Sequence, residues 1–242
     1  MAESTTSPSP SKMRKTPPWV ERLYASITMV YEDYDDALEF NDSFGKRAFD
    51  FTIALIALIL LSPLFLIIAI VLKLDSKGPA FFVQKRVGQY GKVFNMYKFR
   101  SMYSDVDQSL HQQHIAAYKQ GDLANQESYK LEDDPRITRV GRILRNTSLD
   151  ELPQLINVVK GEMSLVGPRP IPVYEADLYD LWQTERFSAL PGITGLWQVV
   201  GRHLVLFEEQ LRLDIHYIRH QSMELNIKII LATLIAVFYK SG

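Results

Sequence analysis

The chain contains no cysteine. That excludes a disulfide framework, a thiolate nucleophile and any zinc or iron–sulfur centre built on sulfur. Net charge is also nearly absent: 27 Lys and Arg against 28 Asp and Glu give −1 at pH 7. The global electrostatic case for binding nucleic acid is therefore missing. Nucleotide loops are lacking too. Gly88 and Gly91 sit in GQYGK, which is too short for a P-loop and suits a hairpin turn, and no G-x-G-x-x-G follows a strand. His216 and His220 are four residues apart, but Tyr, Ile and Arg lie between them without a Glu, so the metalloprotease pattern is absent. The first 18 residues, rich in Ser, Thr and Pro, have no apolar core. They predict a disordered tail over 1–18 and no secretory signal.

What is present in 242 residues, 47% of them apolar and 23% charged, is enough for one large globular domain. Residues 19–45 read as a peripheral helix running into an acidic linker that holds Glu32, Asp33, Asp35, Asp36, Glu39 and Asp42. Residues 51–72 form an uncharged run. A straight helix of that length reaches ~33 Å, enough for a ~30 Å hydrocarbon layer. Pro63 interrupts it, removing the amide that would bond the carbonyl of Ile59, while the Ser62 hydroxyl can serve a freed carbonyl. The spacing predicts a kink there. Lys46 and Arg47 before the run and Lys73, Lys77, Lys85 and Arg86 after it place positive charge at both ends. A kinked spanning helix and a helix-break-helix that returns to its side of entry both satisfy the pattern.

Downstream, strand-like runs over 80–87 and 92–98 flank GQYG and predict a β-hairpin. Residues 105–131 read as a polar helical stretch. Leu152, Leu155, Ile156 and Val159 mark an amphipathic helix starting at Leu149 or Asp150 and closed by Gly161. Helical patterns recur over 174–187 and 204–220, and the apolar run 229–239 is too short to span a bilayer. The apolar stripe over 204–220 suits a core or a partner equally, which leaves homo-oligomerisation open. The fold class expected is α+β, mostly helical.

Two adjacent carboxylates, Asp150 and Glu151, fall at the predicted helix start. A helix N-terminus favours their ionised forms and offers amides to a phosphate oxygen. An ionised Asp is a competent nucleophile toward phosphorus, and its neighbour can hold Mg²⁺. Spacing alone favours a plainer role, an N-cap and a first-turn dipole partner, because caps outnumber active sites. Lys98 with Arg100 forms a basic pair, and Arg136, Arg139, Arg142 and Arg145 recur every third residue. In a helix, steps of three rotate backward by ~60° each, so these four do not form one stripe. Arg169, stiffened between Pro168 and Pro170, can present its guanidinium to an anion.

The order of these blocks resembles one family. KRAFDF with an apolar run broken by Ser-Pro, QKRVGQYGKVFNMYKFRSM, DDPRITRVGRILRNTSLDELPQLINVVKGEMSLVGPRP and PGITGLWQVVGR are similar to the bacterial sugar transferases. These are monotopic polyprenyl-phosphate phosphoglycosyl transferases, and the chain looks closest to their exopolysaccharide-initiating type. The resemblance implies a transferase domain over 46–242 with a re-entrant apolar hairpin at 49–73, a small β-hairpin and surface amphipathic helices. It implies Mg²⁺-dependent transfer of a sugar 1-phosphate from a UDP-sugar to undecaprenyl phosphate, with release of UMP, at the cytoplasmic face of the bacterial inner membrane. In that pattern Asp150 is the nucleophile and Glu151 the metal ligand. Arg145 binds phosphate, Pro168-Arg169-Pro170 meets the nucleotide, Arg47 anchors at lipid headgroups, and Ser62-Pro63 breaks the membrane segment. A non-catalytic membrane scaffold and a Mg²⁺-dependent phosphate hydrolase are the alternatives.

Overall fold

The computed structural model describes residues 44–103, 134–176, 179, 181–200 and 207–240. The tail, the acidic linker and the polar stretch 105–131 lie outside the described residues.

The apolar run lies within one helix, α1 (Phe44–Asp75), of 32 residues. Helical structure is continuous through Pro63, where the sequence places the bend. The Ser62 hydroxyl donates to the carbonyl of Ile59 at 2.8 Å, supplying the bond that Pro63 cannot. Along α1 the buried residues Ala54, Ile68 and Leu72 keep helical spacing, whereas Ile56, Ile59, Leu60, Leu66, Ile67 and Ile70 are 49–72% exposed. An unpartnered aliphatic face of that length has no place in water. α1 is long and apolar enough to cross a membrane.

Both ends of α1 are fastened to the same body. At the first, Lys46 and Asp50 are buried and pair at 2.9 Å. Lys46 also donates to Ser164 and to the carbonyl of Val166, and Ser164 donates to Asp50. Arg47 reaches the carbonyls of Val159 and Met163 at 3.3 and 3.4 Å. Its guanidinium thereby caps the end of a helix from the first turns of α1. At the second end, Arg100 donates to the carbonyls of Leu72, Ser76 and Lys77, each at 2.8 Å. Ile68 and Leu72 pack there with Ala80, Phe99 and Leu144.

The predicted hairpin is present as β1 (Phe81–Val87) and β2 (Val93–Phe99), in register from Phe81↔Phe99 to Val87↔Val93. Its turn carries Tyr90 at φ 54° and Gly91 at φ 75°, and positive φ is the reason a glycine suits the second place. α2 (Arg139–Thr147) starts where the Thr138 hydroxyl accepts from the Gly141 amide. α3 (Gln154–Lys160) ends on Gly161 at φ 83°, as the sequence predicts. β3 (Ser164–Val166) and β4 (Ile171–Pro172) follow, then the short helix α4 (Val173–Ala176), a 3₁₀ segment (Leu181–Ser188) and β5 (Gly192–Thr194). The expected helix over 174–187 is thus divided into two pieces.

The larger sheet has the order β2-β1-β4, and β3 pairs in parallel with β5. The outer edge of β2 is closed by a side chain rather than a strand. Asn157 on α3, fully buried, donates to the carbonyl of Asn95 at 2.7 Å and accepts from the amide of Tyr97 at 3.1 Å. Three more helices follow: α5 (Leu196–Val200), α6 (Phe207–Arg219) and α7 (Met223–Lys240). α7 is longer than the apolar run suggested because Glu224 and Lys228, paired at 2.5 Å, begin it on the solvent side. Its Asn226, Ile229 and Ala232 are buried, while Ile227, Leu231 and Leu234 are exposed. The fold is mostly helical with a small sheet.

Candidate active site

The acidic pair does not open α3. Ser148 is in the left-handed conformation at φ 59° and closes α2; Leu149–Glu151 then form a single 3₁₀ turn, and α3 starts only after Pro153. Pro153 is accommodated at the helix entrance, where no amide is needed. Ser148 makes no side-chain cap bond, so the expected cap arrangement is replaced by a tight corner. That corner lifts Asp150 and Glu151 off the helix and turns Glu151 toward β2.

There Lys98 meets Glu151, Nζ to Oε1 at 2.9 Å, and Arg169 stands 3.7 Å from the same oxygen. The hairpin register puts Arg86 opposite Phe94, so Arg86 projects from the same face as Met96 and Lys98. A small concavity results, lined by Arg86, Met96, Lys98, Gln154, Arg169, Pro170, Gly192 and Ile193. Burial pushes the Arg86 guanidinium down to about 10, and the charge of Arg169 adds to that effect. Lys98 is likewise pushed down by burial, with Glu151 opposing and Arg169 adding. Arg86, Lys98 and Arg169 thus bring three cationic groups to one side of the Glu151 carboxylate, an arrangement that can receive phosphate oxygens.

Arg169 is delivered by a fixed loop. Gly167 donates to the carbonyl of Thr194 at 2.9 Å, and Gly192 to that of Pro168 at 2.8 Å. The two strands approach so closely that a Cβ on Gly192 would lie 2.1 Å from the Gly167 amide nitrogen. Only glycine fits at that contact.

A family model for the bacterial sugar transferases matches residues 41–240. The chain belongs to the bacterial sugar transferase family. This sugar transferase is 42% identical over 201 residues to the exopolysaccharide production protein ExoY of Sinorhizobium fredii, covering 82% of this chain and 87% of that one. It is 42% identical over 220 residues to the galactosyl transferase CpsE of Streptococcus agalactiae, covering 90% of this chain and 47% of the relative. Against the undecaprenyl-phosphate galactose phosphotransferase of Salmonella typhimurium it is 38% identical over 220 residues, covering 91% and 46%. The chain thus spans most of the first relative and about half of the other two.

Of the residues singled out in the sequence, the structure brings together Glu151, Lys98 and Arg169, with Asp150 beside them and Pro168 and Pro170 holding the loop. Arg100 is not among them. It is 4% exposed, and its Nη1 and Nη2 hold the carbonyls at the end of α1. Arg145 lies in the last turn of α2, one turn ahead of the acidic pair. Ser62 and Pro63 lie on the exposed part of α1. His216 and His220 stack at 4.1 Å, and among the described residues no group of three or more His, Cys, Asp or Glu could hold a metal. Arg86 was missed, although the hairpin register already contained the signal: it puts residue 86 on the face of residue 98.

Proposed function

We propose that this sugar transferase moves a sugar 1-phosphate from a UDP-sugar to a membrane polyprenyl phosphate, undecaprenyl phosphate, and so begins exopolysaccharide or glycoconjugate assembly. The observation that carries the reading is the Glu151 carboxylate held between Lys98 and Arg169, next to Asp150 and beside a concavity that Arg86, Lys98 and Arg169 line. A nucleoside diphosphate is a polyanion of the right kind for it. The names of the relatives from Salmonella and Streptococcus support the acceptor and the sugar.

In this reading the Asp150 carboxylate attacks the sugar-bearing phosphorus. A new P–O bond forms to Asp150, the bond to the bridging oxygen breaks, and that oxygen leaves with UMP. An oxygen of the polyprenyl phosphate then attacks the same phosphorus and releases Asp150 as carboxylate, giving the lipid diphosphate sugar. Lys98, Arg169, Arg86 and Arg145 hold phosphate oxygens in line. Such positioning and charge stabilisation account for most of the catalysis in phosphoryl transfer.

Mg²⁺ is the cofactor proposed with it. Mg²⁺ binds through one or two carboxylates and completes its shell with substrate phosphate and water, which Asp150 and Glu151 suit without a larger cage. Glu151 would hold it, and when bound it neutralises charge on the diphosphate.

We also propose that α1 enters and leaves the bilayer on one side, the cytoplasmic face of the inner membrane. The reading is supported by the fastening of both ends of α1 to one body, through Ser164 at the first and Arg100 at the second. Both phosphates must meet at the headgroup plane, because UDP-sugar cannot enter hydrocarbon and the polyprenyl tail cannot leave it. UMP release in detergent, with undecaprenyl phosphate, Mg²⁺ and a panel of UDP-sugars, tests the function. Release that needs the lipid phosphate and is lost in Asp150→Asn is expected; free sugar phosphate without a lipid product would indicate a hydrolase, and no turnover with any sugar a scaffold.

A further inference from the structure

The Pro168-Arg169-Pro170 segment carries only four backbone hydrogen-bonding groups, since the prolines lack amide hydrogens. All three carbonyls are engaged by donors from elsewhere in the chain. The Pro168 carbonyl accepts from Gly192 at 2.8 Å, and that of Pro170 accepts from Arg86 at 2.9 Å. The carbonyl of Arg169 is held by a side chain distant in sequence, accepting from Arg186 at 2.9 Å. Arg186 and Asp214 close the arrangement on themselves, Nη2 to Oδ2 at 2.6 Å, with 5% and 2% of their side chains exposed.

We propose that Arg186 and Asp214 are positioning residues that clamp the main chain of Arg169, so that its guanidinium is presented beside Glu151 and held for the donor diphosphate. A buried ion pair is weak evidence for stability in itself, since desolvation offsets much of its attraction. What distinguishes this one is its placement: Arg186, held by Asp214, grips the carbonyl of the residue that faces the pocket. A second ring of contacts fixes the clamp. Arg186 donates to the Tyr179 hydroxyl at 2.8 Å, and Tyr179 donates to Glu175 at 2.9 Å. The Arg186 guanidinium lies 5.5 Å from the centre of the Tyr179 ring. Neither Arg186 nor Asp214 touches the concavity, so their effect must pass through Arg169.

The inference rests on the donor-site reading above, and a double-mutant cycle separates the two. UDP binding in Mg²⁺ buffer is measured by calorimetry for the wild type, Arg169→Met, Asp214→Asn and the double variant, with melting temperatures alongside. Asp214→Asn is expected to weaken UDP about tenfold in the wild-type background and less than about twofold once Arg169 is gone. Equal losses in both backgrounds, or no loss in a folded Asp214→Asn, would overturn the proposal. Arg186→Lys keeps the charge but cannot bridge Asp214, Tyr179 and the Arg169 carbonyl at once; it is expected to repeat the same non-additivity, and it carries the test should Asp214→Asn fail to fold. UDP affinity unchanged by Arg169→Met would instead refute the donor-site reading.

Discussion

Lys98 Nζ lies 2.9 Å from Glu151 Oε1, and Arg169 approaches the same oxygen at 3.7 Å. One carboxylate oxygen thus faces two cations across three separate stretches of chain. Removing either cation alters the pocket's charge at the place where phosphate is expected.

Lys98→Met is therefore expected to lower kcat/KM by about 10²–10³, the usual cost of losing one preorganised charge donor. Lys98→Arg should recover part of it, since charge returns without the same reach. Steady-state UMP release reads both, and activity within about twofold of wild type for Lys98→Met would contradict the assignment.

Arg100 gives the opposite pattern. Its loss leaves the carbonyls of Leu72, Ser76 and Lys77 without their charged donor. Arg100→Met should cost about 2 kcal/mol or more of stability and lower the melting temperature, while UDP affinity of the folded protein stays unchanged. A fall in UDP affinity at constant stability would restore the phosphate role that the sequence suggested.

The topology is open to labelling because the chain has no cysteine of its own. Phe44→Cys and Lys77→Cys mark the two ends of the apolar helix. In sealed vesicles an impermeant maleimide should reach both from the same side, the cytoplasmic one. Labelling from opposite sides would show a spanning helix.

Acid stability should reflect His216, whose pKa is pushed down to about 4 by burial and then by His220 and Arg219. The unfolded chain binds that proton near pH 6.5. Between about 6.5 and 4 the unfolded state therefore holds more protons, and stability falls as pH falls. Chemical denaturation across that range should show a steeper decline for the wild type than for His216→Gln. Identical slopes would contradict the shift.

The hairpin was legible because alternation and the GQYG turn act locally, and α1 because an uncharged run needs no partner to declare itself. The parallel pairing of β3 with β5 was not, since it rests on long-range hydrogen bonds such as that from the Ser164 amide to the Pro191 carbonyl, which leave no periodic trace. Spacing found Asp150 and Glu151 but misplaced them at a helix start, because nothing periodic marks the left-handed turn at Ser148 that closes α2 and the 3₁₀ turn after it. The hold of Arg100 on the end of α1 left no sign in the sequence, since a guanidinium there looks the same whether it meets a substrate or a helix carbonyl. The grip of Arg186 on Arg169, and of Asp214 on Arg186, depends on contacts 17 and 28 residues apart and could not be read from one chain.

The central claim is that Asp150 is the nucleophile, and intact-protein mass spectrometry tests it most directly. Enzyme mixed with its UDP-sugar and Mg²⁺, without lipid acceptor, should gain the mass of one sugar phosphate and release one equivalent of UMP. The adduct should vanish on adding undecaprenyl phosphate and never form in Asp150→Asn. UMP that appears only when acceptor is present, with no adduct at any time, would contradict a covalent intermediate on Asp150.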